Sequence, residues 1–344
     1  DIVVTNSDAQ NGTLTNSYLY SNKLWLGGAA QSANAWNVGG IPASGTGDGM
    51  LSGVFGNTIA NGYLYVIDQT SHRVAKYDVN TGAFVGWIGR VNLPATGGAT
   101  GCTSTLSGSA TPGWCTGGSS QLGAGDGMFN NPNDIFVDHN GFLYVADVTN
   151  NRVQKFNAST GAFIGWIGSI GATGGTCTAG VGLFTGGWCS GGTAAVGNGD
   201  GMFSGARNVY VPLGTDILYV NDRDNHRVQK FVASTGAFVG WIGRISATGG
   251  TCTAGTSVFS GGWCSGGTST SSADGDGSLN SPRGIAVDST NTYLYVVETV
   301  NMRISRYDAA TGAFTGWVGR LNSVTGASCS AAGTGNFTGG WCTG

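Results

Sequence analysis

The sequence predicts an all-β fold built from four tandem copies of one unit of roughly 75 residues. A segment that begins Thr-Gly-Ala-Phe recurs four times, and its tryptophans are Trp87, Trp166, Trp241 and Trp317. Glycine fills 64 of the 344 positions, which favours short strands joined by many turns. Because 40% of the residues are hydrophobic, we expect a packed fold rather than a disordered chain.

The second unit shows most clearly how one copy divides into strands. Alternating or continuous apolar runs predict strands over 134–138, 142–146, 152–156 and 163–167. The dipeptide Asn140-Gly141, between the first two runs, is typical of a tight hairpin turn. Four short antiparallel strands in each of several tandem units are typical of a propeller blade. The sequence therefore predicts a β-propeller of four-stranded blades, with four full repeats plus an N-terminal partial repeat.

The second unit also carries a run of spaced motif residues. Gly127, Phe129 and Pro132 precede an Ile-x-Val-Asp segment, a Gly-x-Leu-Tyr-Val-Ala-Asp segment and an Asn-x-Arg-Val-Gln-x-Phe segment. This pattern resembles the NHL-repeat β-propellers, over about 45 residues of each unit. The first unit matches least, since it has Leu51 in place of the phenylalanine and no proline. The resemblance implies the fold and says little about activity, because that family includes enzymes, receptors and scaffolds.

Each unit carries a pair of cysteines with eleven or twelve residues between them. Zinc sites usually use closer spacings, so the pairs favour disulfides over metal ligands. The predicted disulfides join Cys102 to Cys115, Cys177 to Cys189, Cys252 to Cys264, and Cys329 to Cys342. Disulfides persist in oxidising compartments, so we expect a secreted, extracellular or cell-surface protein whose signal peptide has been removed.

The predicted organisation has two parts. Residues 1–46 form an N-terminal segment or partial repeat, in which 2–5 and 18–26 read as strands that are surplus to a four-blade ring and available for edge pairing or strand donation. Residues 47–344 form the propeller, with repeats at about 47–124, 125–198, 199–274 and 275–344. The cysteine pairs lie in an insert between the fourth strand of one blade and the first strand of the next. We therefore expect four stapled loops on one face.

An acidic residue followed five positions later by arginine recurs in every unit. A catalytic carboxylate set is one interpretation, but a charge-assisted hydrogen bond that ties two strands together explains its recurrence better. The four pairs are Asp68 with Arg73, Asp147 with Arg152, Asp222 with Arg227, and Glu298 with Arg303.

A tryptophan precedes the second cysteine of every pair. Repeated aromatic side chains on loops are able to stack on sugars, whereas packing over the disulfide is the simpler interpretation. These candidate ligand-facing residues are Trp114, Trp188, Trp263 and Trp341.

Histidines, acidic turns and glycosylation sequons complete the candidate sites. His72 and His226 occupy equivalent positions, but Asn151 and Met302 in the other units favour a structural role over metal binding. The repeated Gly-Asp-Gly triplets lack the spaced carboxylates of a calcium loop, so we expect turns there and no cofactor. Sequons for N-glycosylation lie at Asn11, Asn157 and Asn336.

These observations predict a non-catalytic extracellular structural or interaction protein that assembles with itself into a cell-surface fibre or layer. The net charge of −3 gives no electrostatic signature of nucleic-acid binding, and no apolar run is long enough to insert in a membrane. Expected partners are further copies of the chain, another cell-surface protein or a glycan. The alternatives are a lectin-like carbohydrate-binding propeller and a metal-dependent lyase or hydrolase of the NHL type.

Overall fold

The computed structural model describes residues 2–5, 11–14, 43–269, 275–321 and 335–343. Regular structure in these ranges is β throughout, apart from one 3-10 turn at Cys102–Ser104. The strands form consecutive antiparallel sheets in a propeller-like arrangement, which confirms the predicted fold class. Residues 18–42 of the predicted partial repeat and Cys329 lie outside the described ranges.

Four blades follow one another along the chain, and each contains four antiparallel strands in sequence order. The first blade contains Val54–Ala60, Tyr63–Asp68, Arg73–Asp78 and Phe84–Leu93. The second contains Pro132–Val137, Phe142–Asp147, Arg152–Asn157 and Phe163–Ala172. The third contains Ala206–Tyr210, Ile217–Asp222, Arg227–Val232 and Phe238–Gly243. The fourth contains Pro282–Val287, Tyr293–Glu298, Arg303–Asp308 and Phe314–Gly319.

Shorter strands lie in the connecting loops and near the N-terminus. The N-terminal pair, Ile2–Thr5 and Asn11–Leu14, forms its own antiparallel hairpin. The loop strands are Gly97–Gly98, Cys115–Thr116, Ser119–Gln121, Thr193–Ala195, Ile245–Ala247 and Thr268–Ser269. Some of them extend a blade, as when Thr193–Ala195 pairs with the end of Phe163–Ala172.

The hairpin predicted at Asn140-Gly141 shows how the local sequence sets the strand ends. Asp138 Oδ1 accepts hydrogen bonds from the backbone N–H groups of Asn140 at 2.9 Å and Phe142 at 2.8 Å. Gly141 has a φ of 80°, a conformation that glycine adopts without steric cost. The turn therefore places the second strand in register with the first.

The largest hydrophobic clusters lie between successive blades. Ile67 and Val74 of the first blade, for example, pack in one cluster with Leu143 and Val145 of the second. Equivalent clusters join the second blade to the third and the third to the fourth. Among the described strands, the first and fourth blades share no such cluster. A blade therefore buries its faces only when another sheet or segment lies beside it.

No helix among the described residues has the length and apolar character needed to cross a membrane.

Candidate functional site: the interblade clasps

The predicted disulfides are present in the first three units. Cys102 bonds to Cys115, Cys177 to Cys189, and Cys252 to Cys264. Cys342 is also disulfide-bonded. Closing a loop of twelve or thirteen residues stabilises the fold by about 3 kcal/mol through the chain entropy of the unfolded state. The bonds indicate an oxidising, extracellular environment.

Each stapled loop packs on the outer strand of its own blade. In the second unit, Trp166 lies fully buried in a cluster with Cys177 and Cys189. Trp166 and Cys189 also exchange two backbone hydrogen bonds, of 2.8 and 3.1 Å. A Cβ at Gly165 would lie only 3.0 Å from the Cβ of Trp188, so a glycine there allows the loop to approach. The loop thus covers the outer strand, which would otherwise be an exposed edge.

The acid–arginine pairs lie inside the blades. Arg152 Nε donates to Asp147 Oδ2 at 2.9 Å, and both side chains are fully buried. Arg152 Nη2 also donates to the carbonyls of Gly125 at 2.8 Å and Met128 at 2.7 Å, in the Gly-Asp-Gly turn. Burial raises the pKa of the Asp147 carboxyl, although Arg152 opposes the shift. The pair ties the turn to the second and third strands.

The other blades repeat this arrangement. The N–O distances are 3.0 Å for Arg73–Asp68, 2.8 Å for Arg227–Asp222 and 2.8 Å for Arg303–Glu298. The structure therefore places all four pairs in one structural role.

The aspartates of the Gly-Asp-Gly triplets hold the stapled loops. Asp126 Oδ2 accepts a 2.7 Å hydrogen bond from the N–H of Gly191, two residues after a disulfide cysteine. Asp200 accepts the same bond from Gly266. Within the described ranges, no three acidic, histidine or cysteine side chains are grouped for metal binding.

Three donors from one blade converge on a single backbone carbonyl of the next. Between the second and third blades, the oxygen of Ala233 accepts from Tyr144 Oη at 3.4 Å, Lys155 Nζ at 2.9 Å and Trp188 Nε1 at 2.9 Å. The ammonium of Lys155 also lies 4.1 Å from the ring centroid of Phe142 and 5.3 Å from that of Trp188. We call such a set of tyrosine, cation and tryptophan a clasp.

Clasps recur at the other two interfaces. The Ala158 oxygen accepts from Tyr65 at 3.2 Å, Lys76 at 3.1 Å and Trp114 at 3.1 Å. The Ala309 oxygen accepts from Tyr219 at 3.2 Å, Lys230 at 3.0 Å and Trp263 at 3.1 Å. Burial lowers the pKa of Lys76 to about 8. Cations this deeply placed are retained because carbonyls and aromatic rings replace their water.

The clasps decide where the candidate ligand-facing tryptophans lie. Trp114, Trp188 and Trp263 face the adjacent blade, and the tryptophan of the fourth strand packs on the disulfide instead. The clasp was not predicted from the sequence. A signal for it is present in the sequence, since tyrosine, a cation and tryptophan recur at matching positions in all four units.

The equivalent histidines form a second connection between blades. His72 Nδ1 accepts a 3.1 Å hydrogen bond from the N–H of Asn131, and His226 Nδ1 accepts one from Ser281. Asn151, at the matching position of the second blade, accepts from Gly205 through its side-chain oxygen at 2.9 Å. The imidazoles are thus placed as backbone acceptors.

These histidines give the stability a dependence on pH. Burial lowers the pKa of His72 and His226 from the ordinary value of 6.5. A base with a lower pKa in the folded state makes the fold less stable as the pH falls through its unfolded value. We expect the double variant His72→Asn and His226→Asn, which copies Asn151, to lose less stability than the natural chain between pH 7 and pH 5. Urea unfolding at the two pH values measures this difference, and equal losses would contradict it.

Two of the sequon asparagines have described side chains. Asn157 ends the third strand of the second blade, and its Oδ1 accepts a 2.9 Å hydrogen bond from the Thr160 N–H of the following turn. Asn336 is exposed. Asn11 lies in the N-terminal hairpin.

The fourth blade carries a fourth clasp with no described carbonyl in it. The Tyr295 and Trp341 rings lie 5.5 Å apart, and the Arg306 guanidinium carbon is 4.6 Å from the Trp341 ring centroid. Within the described ranges, neither Tyr295 Oη nor Trp341 Nε1 makes a hydrogen bond, and Trp341 is 37% exposed. The donors are therefore assembled as in the three occupied clasps.

Apolar side chains beside the fourth clasp are also uncovered. Val297 is 42% and Ile304 38% exposed, whereas the matching residues of the other blades are 0% exposed. Ile67, Ala146 and Asn221 match Val297, and Val74, Val153 and Val228 match Ile304. A pocket of about 450 Å³ lies in this surface. We call it the open face, and it consists of Val297, Met302, Ile304, Val318 and Phe337.

Many solved structures resemble the chain, and two of them are described here; no curated protein matches it. One is a candidate 6-phosphogluconolactonase from Bacteroides uniformis ATCC 8492, with a TM-score of 0.40, 10% identity, and coverage of 91% of this chain and 62% of that one. The other is a candidate 6-phosphogluconolactonase from Bacteroides fragilis NCTC 9343, with a TM-score of 0.39, 14% identity, and coverage of 81% of this chain and 58% of that one. The chain spans less than two thirds of each.

Both structures bear the name of an enzyme, and this finding corrects the prediction that the chain is not an enzyme. That prediction was wrong because it took repeated, symmetric side chains as evidence against catalysis. The fold by itself does not exclude catalysis. At these TM-scores the likeness assigns no activity to the chain.

The family resemblance is found in the second blade. Residues 129–156 match the family model described as NHL repeat, which confirms the resemblance predicted from the motif residues of the second unit.

Proposed function

We propose that this chain is an extracellular structural protein whose copies associate with one another into a fibre or layer at the cell surface. The observation that carries the proposal is the open face of the fourth blade. Two of its apolar residues, Val297 and Ile304, occupy positions that are fully buried in the other three blades. The first three blades each bury the equivalent face against the next blade, which has the same sequence pattern. The partner of the open face is therefore a further copy of the chain.

The composition supports self-association. Only 10% of the residues are charged and the net charge is −3, so copies meet little electrostatic repulsion. The disulfides support an extracellular setting, where the stapled loops keep the outer strands covered. Because the stapled loops cover the outer strands, the open face of the fourth blade is the surface available for assembly.

A charge placed on the open face tests the proposal. We expect the natural chain to form particles larger than one copy, and Ile304→Asp to shift the population towards single copies, because a carboxylate cannot be buried there without a partner. Ile164→Asp is the matched control, since Ile164 is 41% exposed on the outer strand of the second blade. Light scattering and electron microscopy measure particle mass and shape. A natural chain that remains a single copy at every concentration would overturn the proposal.

A further inference from the structure

The fourth clasp has the same kinds of side chain that bind a backbone carbonyl in the other three, so the groups that fill those three indicate what a fourth would bind. Every occupied clasp holds the carbonyl that follows the third strand of the next blade: Ala158, Ala233 or Ala309. Each carbonyl lies in a turn between two antiparallel strands. The ligand of a clasp is therefore a strand–turn–strand unit of this chain's own sequence type.

We infer that the fourth clasp binds the N-terminal partial repeat, residues 18–46, of a second copy. This inference rests on the proposed self-association. This segment resembles the end of a unit, since Leu24-Trp25-Leu26-Gly27 matches a fourth strand and Trp36 matches the loop tryptophan. In the other three interfaces, the turn that precedes a fourth strand is the part that enters the clasp.

The first blade of a second copy does not suit the clasp. Val66, Ala75 and Tyr77 face the side on which a preceding blade would pack, and they are already buried. A second copy therefore cannot present these residues to the open face without uncovering them first. The next part of a second copy that could occupy the fourth clasp is the segment that precedes the first blade in the sequence.

The open face also differs from the covered faces in a way that fits a partner from another copy. Met302 stands where His72, Asn151 and His226 accept a backbone N–H from the next blade, and it is 82% exposed. The cation of the clasp is Arg306 rather than lysine, and its Nε donates to Thr315 Oγ1 at 2.9 Å. This contact orients the guanidinium before any partner binds, so little side-chain entropy remains to be lost on binding.

Two unlike surfaces of one chain would meet in this contact. Such a heterologous contact repeats from copy to copy and produces an open polymer unless the rotation closes a ring. The fibre would thus have a polarity, with the fourth blade at one end and the partial repeat at the other.

The test compares two matched tryptophan variants of the full chain. Trp341→Leu removes the donor from the open clasp, and Trp188→Leu makes the same change in an occupied one. We expect Trp341→Leu, and also Tyr295→Phe, to weaken association in sedimentation velocity runs over a range of protein concentrations. For Trp341→Leu the expected loss is at least about tenfold. Trp188→Leu should lower the melting temperature and leave the association constant unchanged.

A variant on the partner segment completes the design. Trp25→Asp should weaken association as strongly as Trp341→Leu, and each defective variant should still bind the natural chain through its intact end. If polymers form equally well with Trp341→Leu, the inference fails while the proposed self-association stands. If Trp341→Leu acts but Trp25→Asp does not, another segment is the occupant and the inference also fails. If the natural chain stays a single copy, both fail.

Discussion

Replacing Arg152 by methionine is expected to lower the free energy of unfolding by about 3–5 kcal/mol, the usual cost of leaving one member of a buried ion pair alone. Asp147 would keep its place beside the third strand with its carboxylate fully buried. The Gly125 and Met128 carbonyls would lose their donor as well, so the turn that opens the second blade would loosen. Urea denaturation followed by tryptophan fluorescence measures the loss.

Two controls separate the buried charge from the lost side chain. The double variant Asp147→Asn and Arg152→Met removes both charges, and we expect it to recover part of the stability. Arg223→Met breaks a solvent-exposed pair with Asp224 and should change stability by no more than about 1 kcal/mol. Equal losses for Arg152→Met and Arg223→Met would contradict the account of a buried pair.

Replacing Trp166 by alanine is the second large effect, with an expected loss of about 3–5 kcal/mol. The indole is fully buried against the Cys177–Cys189 disulfide, and its Nε1 donates to the Gly191 carbonyl at 3.2 Å. Removing it leaves a cavity under the loop and an unpaired carbonyl. The loop would then be more exposed to solvent.

The readout for Trp166→Ala combines stability with the state of the loop. Thermal unfolding reports the overall loss, and the rate at which a mild thiol reduces Cys177–Cys189 reports exposure of the loop. Ile164→Ala, an exposed change on the same strand, should stay within about 0.5 kcal/mol. If Trp166→Ala left the reduction rate unchanged, the indole would not be what holds the loop down.

The sequence predicts the strands of the second blade closely because their hydrophobic patterns and turn residues are local signals. The strand predicted at 142–146 is observed at Phe142–Asp147, and the one at 152–156 at Arg152–Asn157. The fourth strand runs further than predicted, to Ala172, because its end pairs with Thr193–Ala195. That pairing depends on a loop folding back, which local periodicity does not encode.

The clasp is harder to predict because its donors and acceptor come from different blades. Trp188 and Ala233, for instance, are 45 positions apart, and nothing in either local sequence indicates that they meet. Because Trp188 is next to a cysteine in the sequence, it was expected to pack on the disulfide. The residue that packs there is Trp166. Repetition identifies which residues matter in such a fold, and only the packing of one blade on the next shows what they contact.

The stapled loops also limit how far the chain lengthens when it is pulled from its ends. The twelve-residue separation between Cys177 and Cys189 would span about 40 Å if fully extended, but the bond holds the two Cα atoms 5.1 Å apart. Each staple therefore withholds most of that length from any mechanical load, even after its blade has come apart. For a protein under tension, the staples make the extension on each rupture shorter and keep each loop covalently closed.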